Sequence, residues 1–239
     1  MDQRDSESQA QRETREGIHT SSRVERYIVV SAIAIASIGL GYLYFTQLWW
    51  KVPPDFRCNQ TEQGEFLFSR AGPDGELVRE RGLCGWIGIA AYYSDKPRNL
   101  FTAGILRQFD GPELYIPIGW AQAVNGWFIE NVVKPNIAWF GYIIWASEAF
   151  IATSLILGFM SRLGGLVAIG MSTQLMIGLA GIPRPFEWEW SYQLMVLLSI
   201  VVFGLAPGRY YGLDRLIRPR LKALRDRGSG IGRLLLLFT

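Results

Sequence analysis

Three long apolar runs in the second half of the sequence constrain its fold more than any other feature. They cover Ile137 to Phe159, Leu163 to Ile182 and Trp190 to Pro207. Each approaches the roughly 20 apolar residues that a helix needs to cross a bilayer core. Lipid offers the backbone no hydrogen-bond partners, so such segments must be helices that satisfy their own polar groups. The chain is therefore expected to be a membrane protein.

A fourth apolar run covers residues 27–50. A soluble helical bundle is the competing interpretation, but its helices would each carry one apolar stripe, whereas these runs are apolar on nearly every face. We predict an all-α membrane protein, a four-transmembrane-helix bundle with a large extracytoplasmic loop between helices 1 and 2. The membrane domain is expected to cover residues 27–208, with helices at 27–50, 137–159, 163–182 and 190–207 and the outer loop at 51–136.

Basic residues concentrate before the first apolar run and after the last. Five arginines precede residue 27 and eight lysines or arginines follow Pro207, whereas the turn between the last two runs has only Arg184. Because positive residues favour the cytoplasmic side, both termini of this cytoplasmic-membrane protein are predicted to be cytoplasmic. The first run is expected to be a retained signal anchor, since it is too long for the core of a cleaved signal peptide.

The two tails differ in their predicted character. Residues 1–26 are polar and mixed in charge, which predicts a disordered cytoplasmic tail. Residues 209–239 form a basic amphipathic tail that suits the anionic lipids of the cytoplasmic leaflet, although an ordinary solvated tail also fits. Pro219 is expected to interrupt a helix in this tail unless the helix begins there.

The predicted outer loop contains both cysteines and several turn signals. A Pro-Asp-Gly turn favours a hairpin within residues 65–78, and the apolar pieces 83–93 and 114–133 are expected to lie against the membrane face or to cap the bundle. In an oxidising compartment, Cys58 and Cys84 are expected to form a structural disulfide. A redox-active pair is the alternative, but no C-x-x-C spacing favours it.

Few residues could hold a cofactor within this chain. The only histidine is His19, in the N-terminal tail, which argues against a transmembrane haem. Two cysteines cannot hold an iron–sulfur cluster, and no clustered ligands indicate zinc or another metal. The net charge of +3 is too small to indicate a nucleic-acid partner. Any redox cofactor is therefore expected to be a diffusible quinone or to belong to another protein subunit.

Glu148 is the one carboxylate inside the four apolar runs. It lies about 17 Å along its predicted helix at 1.5 Å per residue, close to the bilayer midplane. An ionisable group there normally faces the bundle interior. Gln174 has a similar depth in the next run. Two interpretations fit: a structural hydrogen bond between Glu148 and Gln174, or a catalytic, proton-handling Glu148 beside a quinone pocket.

Several short motifs resemble those of the DoxX/DoxD family of integral membrane proteins. The clearest is Gly204-Leu-Ala-Pro-Gly-Arg209-Tyr-Tyr-Gly212-Leu213-Asp214, which looks like the end of the family's fourth helix. Further similarities are Gly158…Arg162-Leu-Gly-Gly165, Trp49-Trp50-Lys51 and Phe101-Thr-Ala-Gly104. The resemblance implies a four-helix fold. DoxD is the membrane subunit of thiosulfate:quinone oxidoreductase, which implies a role in passing electrons from a sulfur compound to quinone.

Two classes of function follow. The first is a subunit of a quinone-linked oxidoreductase, with Glu148 handling protons, Gln174 beside the quinone, and Lys51, Arg107 or Arg184 as contacts for an anionic substrate such as thiosulfate. The second is a non-catalytic scaffold or accessory subunit of a larger membrane complex. A transporter ranks third, because the sequence shows no internal repeat. Membrane lipids and another protein subunit are the expected partners.

Overall fold

The computed structural model describes residues 23–101, 116–182 and 190–239, and helices dominate these ranges. The main helices are α1 (Arg23–Leu48), α2 (Gly82–Tyr92), α3 (Gly119–Phe128), α4 (Ile137–Leu157), α5 (Ser161–Leu179), α6 (Ser191–Leu205), α7 (Gly208–Tyr211), α8 (Leu213–Asp226) and α9 (Gly230–Phe238). Two antiparallel two-stranded sheets pair β1 (Arg70–Ala71) with β2 (Leu77–Val78) and β3 (Asn99–Leu100) with β4 (Ile116–Pro117).

Helices α1, α4, α5 and α6 pack side by side, with α1 against α4 and α5 against α6. Their shared core is apolar and contains Leu40, Tyr44, Ile151, Ala152, Leu155, Ala168 and Val202. We call the end of this bundle that carries residues 49–101 and 116–136 the loop side. The opposite end, which carries α7, α8 and α9, is the tail side. This bundle holds the candidate site at its loop side.

Three helical segments in the described ranges are long and apolar enough to cross a membrane: Val24–Leu48, Gly119–Leu157 and Ser161–Leu179. Only 28–33% of their most apolar windows is buried inside the protein, so most of their apolar surface faces outward, as lipid contact requires. Three of the four predicted runs therefore form helices that could span a membrane.

The fourth predicted crossing is shorter than expected. Helix α6 has 15 residues and is apolar, but it is about 22 Å long at 1.5 Å per residue. It stops at Leu205 because Ala206 adopts a left-handed conformation (φ 45°) directly before Pro207. The residue before a proline avoids the helical region, which explains the early end. The fourth crossing stays a prediction, and the predicted outer turn at residues 183–189 lies outside the described residues.

The second predicted helix is part of a longer helical stretch. Helices α3 and α4 are joined by a π-helix at Ile129–Val133 and a 3₁₀ turn at Lys134–Asn136, giving 39 continuous residues. A straight helix of that length would extend about 58 Å, almost twice the bilayer core. The irregular turns and Pro135 break the regular hydrogen-bond ladder, as such features do where helices bend. Helix α3 packs against α5.

The predicted outer loop is largely folded in its described part. The hairpin predicted within residues 65–78 is confirmed by the pairing of β1 with β2. The two apolar pieces contain α2 and α3. Buried residues of α2 join one core with the loop-side ends of the bundle helices, and the partly buried Ala121 and Phe128 of α3 pack against it. Gly88 allows this packing, since a Cβ there would lie 2.3 Å from the Ser69 backbone nitrogen. The loop helices therefore cap the bundle, as predicted.

A disulfide joins Cys58 to Cys84, as predicted, and ties the segment after α1 to the first turn of α2. Restricting the unfolded chain in this way is expected to contribute about 3 kcal/mol. A Cys58→Ala/Cys84→Ala variant should lose that free energy of unfolding, measured by denaturation in detergent. Wild-type protein with its disulfide reduced is the matched comparison. Equal stability of the oxidised wild type and the double variant would contradict a structural role.

Both predicted tails are more helical than expected where they are described. Helix α1 begins at Arg23, four residues before the predicted start, and residues 1–22 lie outside the described ranges. Helix α8 passes through Pro219 without ending. The missing Pro219 N–H leaves one carbonyl, that of Arg215, without its helical donor. This helix exposes Leu216 and Leu224 among its basic residues, so its amphipathic character agrees with the sequence.

Candidate functional site

A buried ion pair lies at the loop side of the bundle. Lys51 Nζ donates a hydrogen bond to Glu148 Oε1, and the two residues are only 5% and 1% exposed. Glu148 is on the interior face of α4, while Lys51 follows the end of α1 by three residues. Glu148 therefore lies in the middle of α4, but at the same level of the bundle as the loop-side end of α1. The predicted inward orientation of Glu148 is present in the structure.

The second carboxylate oxygen of Glu148, Oε2, is buried and has no hydrogen-bond partner in the described part of the chain. Burying a charge is costly unless it is paired and its remaining lone pairs are satisfied. Lys51 provides the pairing through Oε1. Oε2 remains available to a proton or to a donor that enters the site.

A cavity of about 710 Å³ opens beside this ion pair. Its polar lining includes Lys51, Glu148 and Gln174. The sequence predicted Glu148 and Gln174 at one site, but it predicted Lys51 as a contact for an anionic substrate. Aromatic and aliphatic side chains form most of the wall, including Tyr44, Trp50, Trp86, Phe128, Phe140, Ile144, Met171, Leu175 and Met195. The volume and this combination of apolar walls with a few polar groups are typical of sites for small organic ligands.

The predicted hydrogen bond between Glu148 and Gln174 is wrong. Gln174 Nε2 instead donates to Asn125 Oδ1 at 2.8 Å, and Asn125 belongs to α3. The sequence placed Gln174 at a suitable depth, but it gave no sign that α3 would pack against α5. Lys51 takes the position beside Glu148 because a full charge compensates a buried carboxylate better than an amide does.

The predicted anion contacts are only partly placed. Lys51 is engaged by Glu148, so it belongs to the ion pair rather than to a separate anion site. Arg107 and Arg184 lie outside the described residues. Sequence analysis missed Arg98, Gln122 and Asn125, which form a polar cluster at the loop-side end of α5. A usable signal was the spacing of Gln122 and Asn125, which places two amides on one face of an otherwise apolar helix.

A second cavity of about 780 Å³ lies on the loop side and shares Trp50 and Trp86 with the first. Its lining is strongly charged and includes Asp55, Arg57, Arg79, Glu80 and Arg81, together with the disulfide residue Cys58. The Arg79 guanidinium lies 5.4 Å from the Trp86 ring centroid. The three arginines and two carboxylates offset each other, so this cavity carries only a small excess of positive charge.

Asp214 is the last residue of the glycine-rich motif at residues 204–214, which lies at the tail side. This fully buried carboxylate accepts hydrogen bonds from Met160 N (2.7 Å), Ser161 N (2.9 Å) and Ser161 Oγ (2.7 Å). It thereby satisfies backbone donors at the start of α5, where a negative charge also suits the helix dipole. Gly212 must lack a side chain, since a Cβ there would lie 2.5 Å from the Gly158 Cα. The motif is therefore structural.

Comparison with known families gives one match. The family described as "TQO small subunit DoxD" matches residues 119–236, which cover α3 to α8, most of α9 and the Asp214 turn. No curated protein and no solved structure matches the chain. The matched region contains Glu148, Gln174 and the glycine-rich motif, and these findings together make the chain a DoxD-like protein.

Proposed function

We propose that this DoxD-like chain is the membrane subunit of a quinone-linked oxidoreductase and that the 710 Å³ cavity binds the quinone headgroup. The observation that carries the proposal is the buried Lys51–Glu148 pair beside an apolar cavity, in which one carboxylate oxygen has no partner among the described residues. Intramembrane ionisable residues are expensive and commonly functional. The family description supports the coarse assignment to an oxidoreductase subunit.

The residues of the cavity suit a quinone. Trp50, Trp86 and Phe140 offer apolar surface to a flat ring, and Lys51 offers ammonium hydrogens beyond the one given to Glu148. Leu43 and Ile143 line the cavity and are also 47% exposed on the bundle surface. That exposure supports entry between α1 and α4 from the bilayer, where a quinone with a long apolar tail is dissolved.

Each polar residue has a distinct task in this proposal. A bound quinone supplies an acceptor for two electrons and two protons. Lys51 orients the headgroup by donating a hydrogen bond to a carbonyl oxygen. Glu148 holds or delivers a proton through Oε2, which lies within the protein and away from bulk water. Gln174 fixes the far wall of the cavity through its bond to Asn125.

The proposal includes the predicted topology, with four crossings and both termini cytoplasmic. The loop side then faces out of the cell, and the basic helix α8 lies on the anionic inner leaflet. A sulfur compound such as thiosulfate is the proposed electron donor, because the family resemblance implies it. The description of the family as a small subunit supports a partner subunit.

A scaffold function is the second candidate, and one surface favours it. Helix α3 exposes Trp120, Val124 and Trp127 on one face at 77%, 62% and 63%. Exposed aromatic residues are enriched at protein interfaces, and this face is suited to a partner subunit. In that case the cavity would be a packing defect filled by lipid, and quinone would show no specific binding.

Quinone binding distinguishes the two candidates. A Ser147→Phe variant fills the cavity beside Glu148 and is expected to weaken binding of a short-chain quinone at least ~10-fold, since the added ring occupies its space. Quenching of tryptophan fluorescence measures this binding, because Trp50 and Trp86 line the cavity. Leu197→Phe is the matched control on the exposed face of α6. Equal quenching in both variants would contradict the proposed site.

A further inference from the structure

A cluster of hydrogen-bond donors without acceptors lies at the loop-side end of α5. Arg98 Nη2 donates to the carbonyl oxygens of Ile177 (3.3 Å) and Gly178 (3.0 Å). The remaining nitrogens of its guanidinium, Nε and Nη1, are buried and have no partner within the described residues. The guanidinium therefore reaches a helix end while part of its donor capacity is unused.

Two amides from α3 extend the cluster. Gln122 is 1% exposed; its Oε1 accepts from the Arg98 backbone N–H at 2.9 Å, while its buried Nε2 has no partner in the ranges described. Asn125 is 6% exposed, and its Oδ1 is occupied by Gln174. Asn125 Nδ2 also has no partner within the described residues. It packs close to Gly178, since a Cβ added to this glycine would lie 3.3 Å from it. The unused groups are all donors.

Such a cluster is unusual because nearly all buried polar groups have hydrogen-bond partners. Leaving a buried donor unsatisfied costs its full desolvation penalty, so several such donors together indicate an absent acceptor. Arg98 also keeps its charge: burial lowers its pKa to about 10, which still leaves it protonated at neutral pH. No carboxylate in the described part of the chain forms a salt bridge with Arg98.

We infer that Arg98, Gln122 and Asn125 form a binding site for a small oxyanion. An oxyanion supplies several acceptor oxygens and one or two negative charges, which suits the unpartnered donors of one guanidinium and two amides. A neutral carbonyl would satisfy one donor and leave the charge of Arg98 uncompensated. The residue Arg98 is partly exposed, whereas its unpartnered nitrogens are buried, so the anion would bind beneath the loop-side surface.

This site is separate from the Lys51–Glu148 pair, but it adjoins the same cavity. Gln174 and Gly178 line the cavity, and each also contacts a member of the donor cluster. An anion held by the cluster would thus lie on the other side of that wall. Sulfur oxyanions and small carboxylates share the required chemistry, and binding to either can be measured without a quinone or a partner subunit.

The test measures the melting temperature of the purified full-length protein with sulfate, thiosulfate or acetate, against chloride at matched ionic strength. At an anion concentration 100 times its Kd, the melting temperature should rise by about 5 °C or more. Sulfate and thiosulfate acting without acetate would identify a sulfur oxyanion, and acetate acting equally would identify a general oxyanion site. No rise with any of the three would overturn the inference and indicate water in the cluster.

Three variants localise the effect. Arg98→Gln should weaken anion binding at least ~10-fold through the loss of charge-assisted hydrogen bonds, whereas Arg70→Gln removes an exposed charge from the same side and should leave binding unchanged. Gln122→Glu supplies an internal carboxylate, so it should raise the melting temperature without added anion and abolish the response to it. An unchanged response in Gln122→Glu would overturn the inference.

Glu148→Gln separates this site from the proposed quinone site. The substitution should leave the anion response intact, because Glu148 has no contact with Arg98 or Gln122. Wild-type protein that binds the anion but does not bind quinone would support the anion site and refute the proposed function. Wild-type protein that binds quinone but shows no anion response would refute the anion site and leave the proposed function standing.

Discussion

A Lys51→Met/Glu148→Leu double variant is expected to lose quinone reduction by at least ~100-fold while remaining folded. The loss follows because, among the described residues, Glu148 is the carboxylate that lines the cavity and can exchange protons with a bound ligand. Replacing a buried ion pair with apolar residues of similar volume is often neutral or stabilising by about 1–4 kcal/mol, since the desolvation cost disappears. Turnover with thiosulfate as donor and thermal unfolding would be measured on the same purified complex.

The single variants provide the controls for this result. Lys51→Met leaves Glu148 as an isolated charge and should cost about 3 kcal/mol or more, so it should be less stable than the double variant. Glu148→Gln preserves shape but cannot exchange a proton at ordinary pH, and it should also lose turnover. Wild-type turnover in the folded double variant would remove the catalytic role of the pair and favour the scaffold function.

Asp214→Ala is expected to lower the free energy of unfolding by at least ~3 kcal/mol. The substitution leaves the Met160 N–H, the Ser161 N–H and the Ser161 hydroxyl without their acceptor in a fully buried turn. The start of α5 also loses a negative charge at its positive end. Thermal or denaturant unfolding in detergent would measure the loss.

Asp214→Asn should have an intermediate effect, because one acceptor oxygen remains while the charge is removed. Asp226→Asn is the matched control, since Asp226 is exposed and forms only a surface pair with Arg225. That change should stay within about 0.5 kcal/mol of the wild type. A near-neutral Asp214→Ala would show that the glycine-rich turn is held by backbone contacts alone and that the carboxylate has another role.

The sequence by itself determined the features that depend on local patterns. Uninterrupted apolar runs require helices wherever lipid replaces water, which placed α1, α4, α5 and α6 within a few residues of their observed bounds. The same logic placed Glu148 inside the bundle, because a carboxylate facing lipid is too costly. The Pro-Asp-Gly turn similarly predicted the β1–β2 hairpin, and the apolar character of residues 83–93 and 114–133 indicated that these pieces lie against the membrane face or cap the bundle.

The tertiary structure alone decided which residues meet. The offset between α1 and α4 brings Lys51 to Glu148, although 97 residues separate them in the chain. The irregular turns between α3 and α4 let α3 pack against α5, where Gln174 donates a hydrogen bond to Asn125. Within the described residues, Arg98, Gln122 and Asn125 each keep at least one donor without an acceptor. The periodicity of apolar residues indicates which faces of a segment are buried or contact lipid. Which residues contact each other across a bundle depends on helix offsets and bends, which no local pattern encodes.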